Sequence, residues 1–543
     1  MCGRGCLEAA AMAGSGGVGG ADGIGGADGA GSAGRAGRTG GVGRVGSAAG
    51  VVVGVDIGTS VTKAVAFDRD GRALHTASRR STLLRGPGGV VEQELDEVLG
   101  SVAAVVREVA GALPGPPAAL ALTGQGDGLW LRDADGRPVR RMISWMDGRA
   151  ADIVEEWRAD KTVDTVFAHT GSGLFPGCHA PLLAWLRRHE PQTLERASVA
   201  GYCVDAVAQR LTGTVAVDAS DATLPFLDPA TRAYRPEALA ACGVADAARL
   251  LPEPAAPHTV LALDEEGARM LGLPAGLPLT AGPYDLPACA IGSGVREVGD
   301  GLLTLGTTLA CQVLTDDTDT AGAAEPAGMW LCTPERGRWL RAMPAMVGTA
   351  GVDWALGLVG AGTGDLEALL AGSPAGARGV TALPFLSEAG ERAPFVAPGA
   401  RARFEGMSLG HGRADLVRAM CEAVGYAARH CLEAAGLSRA LATCGGGARS
   451  PELVRTFAGI LGRPVRVPLE PEVGAKGAAI VARAALGDPV DEERWHAGHR
   501  IVEPAADDRE LYERGYAYYR ARVAEARPGW DRAAAGTAAA AAG

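Results

Sequence analysis

Three short stretches of this chain bring together glycines, hydroxyl side chains and a carboxylate in arrangements suited to holding phosphate. The first, Asp56-Ile57-Gly58-Thr59-Ser60, follows directly on the strand-length apolar run 51–55. Glycine lets the backbone turn tightly and bring its N–H groups against an anionic oxygen, and Thr59 and Ser60 add hydroxyl donors. A carboxylate at the strand's end, Asp56, suits Mg²⁺ held through water, and Lys63 adds positive charge for phosphates. Alone, such a loop is equally compatible with an ordinary β-hairpin. Gly306-Thr307-Thr308 repeats the arrangement in the second half of the chain, between apolar runs at 302–305 and 309–314. Two such loops facing each other across a cleft would grip a polyphosphate from both sides. The third stretch is Gly445-Gly446-Gly447, set between an expected strand at 441–444 and a helix opened by Ser450 and Pro451. A strand, a glycine turn and a helix N-terminus let a flat base or a phosphate approach the backbone closely. None of the three is a Walker A or GxGxxG sequence, so the P-loop and dinucleotide readings lack their motif.

The elements that must position these loops alternate between strands and helices, an α/β pattern. After the first loop, 61–67 reads as a second strand, and Asp68-Arg69-Asp70-Gly71 as a turn into a third. The spacing predicts a helix over 95–109, with apolar residues three and four apart. A later helix over 415–435 carries Leu416, Met420, Val424, Ala427 and Cys431 on one face and ends at Gly436. Ser450 as N-cap and Pro451 in the first turn open another, whose Leu453, Phe457 and Ile460 share a face. Two strand–Gly-Thr–strand units, one in each half, suggest two halves of related build. Their helical stripes read as core.

Length and composition agree with two large domains. A chain of 543 residues exceeds one comfortable core, and 47% hydrophobic with 21% charged residues is ordinary for a globular protein. The formal charge of −11 argues against nucleic-acid and anionic-membrane partners. The eleven cysteines are scattered, odd in number and without a CxxC pair, which argues for free thiols in a reducing compartment. No apolar run approaches the ~20 residues that span a bilayer, and the start does not read as a secretory signal, so a cytoplasmic protein is expected. Residues 1–50 are nearly all Gly, Ala, Ser and Arg and read as a disordered extension, upstream of a folded protein that starts near Val51. The Ala/Gly tail from Ala533 reads as frayed.

In this order the residues resemble the FGGY family of carbohydrate kinases. The resemblance runs over roughly 51–490. Its pieces are the Asp56–Lys63 loop, Val91-Glu92-Gln93, Gly124-Gln125 with Trp145-Met146-Asp147-Gly148-Arg149, Gly282–Asp285 and the Gly306–Thr308 loop. Gly390-Glu391-Arg392-Ala393-Pro394, Gly445–Pro451 and Glu472–Ala479 complete it. It implies two ribonuclease-H-like domains of the actin, sugar-kinase and heat-shock ATPase type with a cleft between them, at 51–295 and 296–490. A C-terminal helical extension with its tail follows at 491–543. It also implies ATP and Mg²⁺, with possible homo-oligomers. Asp285 matches the family's catalytic base, Asp56 the residue that holds the metal-bound water, and Thr59 and Thr307 those beside the transferred phosphoryl group. Gly58, Ser60, Lys63, Gly306, Thr308 and Ser450 belong to the same nucleotide set, in which the Gly445–Gly447 turn meets the adenosine. The chemistry agrees independently: an alcohol is a poor nucleophile, and a carboxylate within hydrogen-bond reach orients it and takes its proton.

By the resemblance, the acceptor would meet Gln125, Gly126, Asp127, Tyr284 and Asp285. Asp127 supplies an acceptor suited to a vicinal diol, and the flanking Gly126 and Gly128 appear as room for a substrate larger than glycerol. The Gln-Gly-Asp-Gly run is most similar to erythritol-type members, so a small sugar alcohol is the expected substrate and a ketopentose the alternative. Trp130 and Trp354 are candidates for a pocket wall. A non-catalytic sugar sensor is the rival from another class, but it would be expected to have lost Asp285 or a loop threonine. An actin-like or chaperone ATPase would not need the Asp285 and Gln125 elements.

Overall fold

The computed structural model describes residues 50–323 and 325–541. The reading of 1–49 as disordered, with Cys2 and Cys6, lies outside the described residues. The first sheet is built from Val52–Ile57 (β1), Val61–Phe67 (β2), Ala73–Arg80 (β3) and, after the helix Leu95–Gly111 (α1), Ala119–Gly124 (β4). Leu261–Ala262 (β5) and Pro278–Ala281 (β6) complete it in the order β5-β6-β4-β1-β2-β3. Strands β1, β4 and β6 run parallel, with Ile57 opposite Gly124 and Leu122 opposite Ala281. Their carboxyl ends therefore share one edge, where ligands of open α/β sheets bind. β1 is longer than expected and reaches through Asp56, which places that carboxylate at the strand's end.

Both faces of this sheet are covered, so its central strands carry apolar residues on each. Val53, Val55 and Ile57 pack with Val98, Leu99 and Val102 of α1. The alternate residues Val52, Ala119 and Ala121 pack with Ala475, Ala478 and Ala479 of a second helix, which reaches the first sheet from much later in the chain.

After β6 the chain enters the helix Asp285–Gly292 (α2) and then the second sheet, Gly301–Leu305 (β7), Leu309–Thr315 (β8), Met329–Cys332 (β9) and Trp339–Ala345 (β10). The helix Arg413–Ala434 (α3), strand Leu441–Cys444 (β11), helix Pro451–Leu461 (α4), strand Val465–Pro468 (β12), helix Val473–Ala485 (α5) and strand His499–Val502 (β13) follow. The sheet order is β9-β10-β8-β7-β11-β12-β13, and β7 runs parallel to β11 with Thr304 opposite Cys444. The β1–β2 and β7–β8 hairpins, each interrupted by a Gly-Thr loop, are the two related units expected from the sequence.

Helix α3 starts two residues before the expected Asp415, because the Asp415 side chain caps it by accepting from the Gly412 N–H at 2.9 Å. Its buried stripe runs through Val417, Met420, Val424, Ala427 and Cys431, with Leu416 only half-buried on a neighbouring face. Helix α4 opens as expected: Ser450 Oγ accepts from the Leu453 N–H at 3.1 Å and Pro451 fills the first turn. A last helix, Arg509–Ala541 (α6), lays Tyr512, Tyr516, Tyr519, Val523, Ala526 and Trp530 into the core that also holds α3 and α4. The alanine-rich end, expected to fray, is helical through Ala541, consistent with alanine's high helix propensity.

Helices α2 and α5 lie between the two sheets and cross in direct backbone contact. A Cβ on Gly477 would overlap the Ala288 carbonyl, one on Gly292 the Val473 carbonyl, and one on Gly54 of β1 the Ala475 carbonyl. Replacing Gly477 by Ala pushes a methyl into a main-chain oxygen that cannot rotate away, and is expected to destabilise by ~3 kcal/mol. Gly100→Ala, in open space on α1, is expected to stabilise by ~0.5–1 kcal/mol. Denaturant unfolding of both variants checks the pair, and equal effects would contradict the crossing.

Candidate active site

The shared edge of β1, β4 and β6 gathers most of the candidate residues. Gly58–Ser60 follow β1, Gln125–Asp127 follow β4, and Asp285 follows β6 as the first residue of α2. Gln125 is 2% exposed and held at both ends. Its amide nitrogen donates to Gln93 Oε1 at 2.9 Å, and its oxygen accepts from Thr59 Oγ1 at 3.0 Å. Thr59 Oγ1 in turn accepts from Trp145 Nε1 at 2.8 Å.

Asp127 sits in the left-handed region, φ 52°, between two glycines. These glycines do not make room for substrate. A Cβ on Gly126 would lie 2.5 Å from the Tyr284 ring, and one on Gly128 would lie 2.5 Å from the Ile143 carbonyl oxygen. The glycines let the turn pack against its neighbours, and the space read as substrate volume is protein. The wall residues also need correction. Trp130 is buried in the core beneath α1, and Trp354 is 43% exposed and stacks on Phe404. Trp145, quoted in the sequence only as part of a motif, is the tryptophan bonded to this site.

The second sheet contributes from across the cleft. Glu391 accepts the backbone N–H groups of Met346 at 2.9 Å and Arg392 at 2.8 Å, which fixes the turn carrying Arg392. The Arg392 guanidinium lies 4.5 Å from the centre of the Phe175 ring, its Nε donates to the Pro344 carbonyl at 2.9 Å, and Asp127 is its foremost charged neighbour. The Tyr284 hydroxyl, within reach of the charges of Asp127, Asp285, Asp221 and Arg392, is buried without a hydrogen-bond partner among the described residues. A polar ligand's hydroxyl would satisfy it.

Three carboxyls stand deep in this cleft yet remain reachable. Burial pushes Asp285 up to about 8, helped by the charges of Asp56 and Asp127 and opposed by the Leu286 N–H at the start of α2. Burial pushes Asp127 up to about 7, against the pull of Arg392. Asp56 rises to about 6, again chiefly by burial, against the pull of Lys63. Glycine at 474 lets the α5 backbone approach Asp56, since a Cβ there would lie 2.8 Å from Oδ2.

Behind them opens a cavity of about 610 Å³ lined by Lys63 from the first sheet and by Cys444, Gly445, Gly446, Glu472 and Arg500 from the second. Lys63 Nζ is paired with Glu472 at 2.6 Å across it. Gly445, φ 92°, packs against the Leu305 carbonyl, so the glycine turn and the Gly306 loop are neighbours at the carboxyl ends of β11 and β7. Thr307 is exposed, and its carbonyl accepts the Gly348 N–H at 2.9 Å. Of the expected nucleotide residues only Lys63, Gly445 and Gly446 line the cavity; Gly58, Thr59, Ser60, Gly306, Thr307, Thr308, Gly447 and Ser450 do not, and the Ser450 hydroxyl is engaged by Glu367 and the helix cap.

No group of three or more His, Cys, Asp or Glu side chains able to hold a metal occurs among the described residues. Mg²⁺ does not need one, since it commonly takes one or two carboxylates, several waters and substrate phosphates. Asp56, with Asp285 as its neighbour at the cleft floor, fits that pattern.

Two α/β lobes with Gly-Thr loops and deep carboxylates at a shared cleft define a nucleotide-dependent phosphotransferase of the actin-like ATPase fold. The chain belongs to the FGGY family of carbohydrate kinases, whose N-terminal domain model matches residues 51–292 and whose C-terminal domain model matches 301–486. It is similar to the erythritol kinase of Brucella abortus (strain 2308), 35% identical over 90% of this chain and 98% of that protein. It also resembles a xylulose kinase of Klebsiella pneumoniae, 30% identical over 85% of this chain and 98% of that one. Among solved structures, the xylulose kinase from Rhodospirillum rubrum superposes with a TM-score of 0.79 at 29% identity, over 89% of this chain and all of that one. The protein is an ATP-dependent sugar kinase. No helix among its described residues is long and apolar enough to cross a membrane.

The raised carboxyls make stability depend on pH with a definite sign. Asp127 and Asp285 have ordinary values of 3.8, and Glu391 and Glu422, both pushed up to about 7 by burial, have 4.5. Above those ordinary values the unfolded chain has released protons that the folded protein keeps until about 7–8, so stability falls as pH rises through that range. Between pH 6.5 and 8.5, above the ordinary 6.5 of the buried His179 and His430 beyond which their opposing contribution dies away, the ligand-free protein in chelator is expected to melt at progressively lower temperature. Asp127→Asn and Asp285→Asn should each flatten the slope, whereas a melting temperature that climbs over this range would contradict it.

Proposed function

We propose that the acceptor is a small open-chain sugar alcohol of the erythritol class and that Asp285 is the base that activates its hydroxyl. The observation that carries the acceptor reading is the Asp127 carboxylate, held in a left-handed turn opposite Arg392 and beside the unpartnered Tyr284 hydroxyl. A carboxylate, a guanidinium and a phenol together offer acceptors and donors for adjacent hydroxyls, the recognition that a polyol needs. The erythritol kinase similarity supports the same reading.

In the proposed reaction the acceptor lies against Gln125, Asp127 and Tyr284 with one hydroxyl directed at Asp285. Its oxygen forms a bond to the γ-phosphorus as the bond from that phosphorus to the ADP oxygen breaks. The hydroxyl proton passes to the Asp285 carboxylate. A base raised toward 8 holds an alcohol's proton better than a carboxylate at its ordinary value. Asp56 would hold Mg²⁺ through water, and the ion would supply positive charge to the phosphates. The Gly58–Ser60 and Gly306–Thr308 loops would hold the phosphates, with Lys63 released from Glu472, and Gly445 and Gly446 would meet the adenosine. We assign the two functional lobes to 51–295 and 296–490, and the reaction to the cytoplasm, in keeping with the nine free cysteines among the described residues.

ADP release by the purified protein with Mg-ATP is to be measured against erythritol, threitol, glycerol, arabitol, xylitol, ribitol and both enantiomers of xylulose and ribulose. A polyol is expected to lead by kcat/KM, and a ketopentose in first place would overturn the Asp127 argument. Asp285→Asn is expected to keep nucleotide binding and lose about 10²–10⁴ in kcat. Full turnover in that variant would remove Asp285 from its role.

A further inference from the structure

The hydroxyl of Thr59 is tied to the acceptor side of the cleft. A threonine hydroxyl has one proton and two lone pairs. Here the proton is given to Gln125 Oε1 at 3.0 Å, and one lone pair receives the Trp145 indole N–H at 2.8 Å. Gln125 cannot turn its carbonyl away freely. It is 2% exposed, and its amide nitrogen is committed to Gln93 Oε1 at 2.9 Å, with Cys203 Sγ 3.8 Å away. In this arrangement Thr59, the middle residue of the Gly58–Ser60 loop, has only a lone pair left. A lone pair repels a phosphoryl oxygen, which needs a donor.

We infer that Thr59 is a positioning gate: its hydroxyl proton is withheld from the γ-phosphoryl group until an acceptor hydroxyl takes its place at Gln125 Oε1. The acceptor's own O–H then supplies the hydrogen bond that Gln125 loses. Trp145 continues to donate into Thr59 Oγ1, which leaves the freed proton to point at the phosphate. The donor set around the transferred group is thus completed by the arrival of the sugar. Without it, ATP meets a loop lacking one donor, and attack by water is slow. That side reaction would join the water oxygen to the γ-phosphorus, break the bond to ADP and release inorganic phosphate. The inference rests on the reading that Gln125 meets the acceptor and Thr59 the γ-phosphate, and it concerns how those two sites are coupled.

The test is a double-mutant cycle read as phosphate release from Mg-ATP with no acceptor present. Gln125→Met keeps the side-chain length and removes the oxygen that holds Thr59. It is expected to raise acceptor-free hydrolysis about tenfold, the worth of one hydrogen bond to a charged group. The same substitution made in a Thr59→Val background is expected to produce no increase over Thr59→Val alone, whereas in a Thr59→Ser background it should keep the increase. Unchanged hydrolysis in Gln125→Met, or an increase that survives Thr59→Val, overturns the gate.

Should Gln125→Met fail to fold, Thr59→Val and Thr59→Ser in the otherwise intact chain carry the test. Val is expected to cut the stimulation of turnover by acceptor, read as the ratio of acceptor-dependent to acceptor-free ATP turnover, by about 10²-fold, with Ser retaining it. A Val variant that the acceptor stimulates as strongly as wild type overturns the inference. Hydrolysis without acceptor is measurable whatever substrate the panel selects, so a failed acceptor assignment and a failed gate give different results.

Discussion

Contact between the backbones of α2 and α5 is the constraint on which the rest of the molecule depends. Each helix belongs by sequence to a different half, yet each packs against both: Ala290 of α2 lies with Leu302 of the second sheet, and Ala475 of α5 lies on the first. They approach so closely because Gly292, Gly474 and Gly477 present no side chain at the crossing. Asp285 is the first residue of α2, and Asp56 lies against the start of α5 at Gly474. The crossing therefore sets where the candidate base and the candidate metal carboxylate stand relative to each other. A bulkier residue there would displace the chemistry as well as the packing.

The charge arrangement follows from the same geometry. Three acids gather at the floor of one cleft, where burial favours the protonated form of each and the charges of Asp56 and Asp127 add to the rise at Asp285. The nearby cations are partly engaged elsewhere: Lys63 is drawn to Glu472, and Arg392 is bound to the Pro344 carbonyl and lies beside Phe175. Such a site has a deficit of positive charge at its floor, which a divalent cation arriving with a nucleotide would correct. The coupling between ligand charge and carboxyl protonation is a property of the enclosure, since burial is the leading cause of the rise at each of the three acids.

Much of this was legible in the sequence because the loops are local. Asp56–Ser60, Gly445–Gly447 and the Ser450–Pro451 cap each announce themselves within a few residues, whereas Gln125 and Asp285 are reached only through the family resemblance, since no strand is expected at 119–124 or 278–281. What was not legible depends on contacts between distant segments. The bond between Trp145 and Thr59 joins residues 86 positions apart, and Lys63 and Glu472 are separated by 409. No local periodicity reports either. Gly126 and Gly128 were misread as space for the same reason: a glycine in sequence shows that a side chain is missing, but only the neighbours, here Tyr284 and the Ile143 carbonyl, show what fills the gap. Trp130 and Trp354 were equally ambiguous, since an indole's place is decided by the sheet or helix beneath it.

Under the proposed assignment, recognition of the acceptor is divided between the lobes. Asp127, Gln125 and Tyr284 come from the first, whereas Arg392 enters from the second on a turn fixed by the buried Glu391 carboxylate. Even with Arg392 drawing it down, burial holds the Asp127 carboxyl near 7, so at neutral pH it is partly protonated. Arg392 shifts the balance toward the ionised form, the better hydrogen-bond acceptor, and without it the group would rise further. The proposed sugar site would therefore reach full strength only with the second lobe in place, and that lobe also carries the glycine turn and most of the lining of the cavity. A hydroxyl compound that satisfies Asp127 but is too long to leave Arg392 in place would be held by one lobe and remain poorly aligned with the phosphate. On that assignment, selection by size would arise from how the two lobes meet, with the packed glycine turn around Asp127 as its rigid floor.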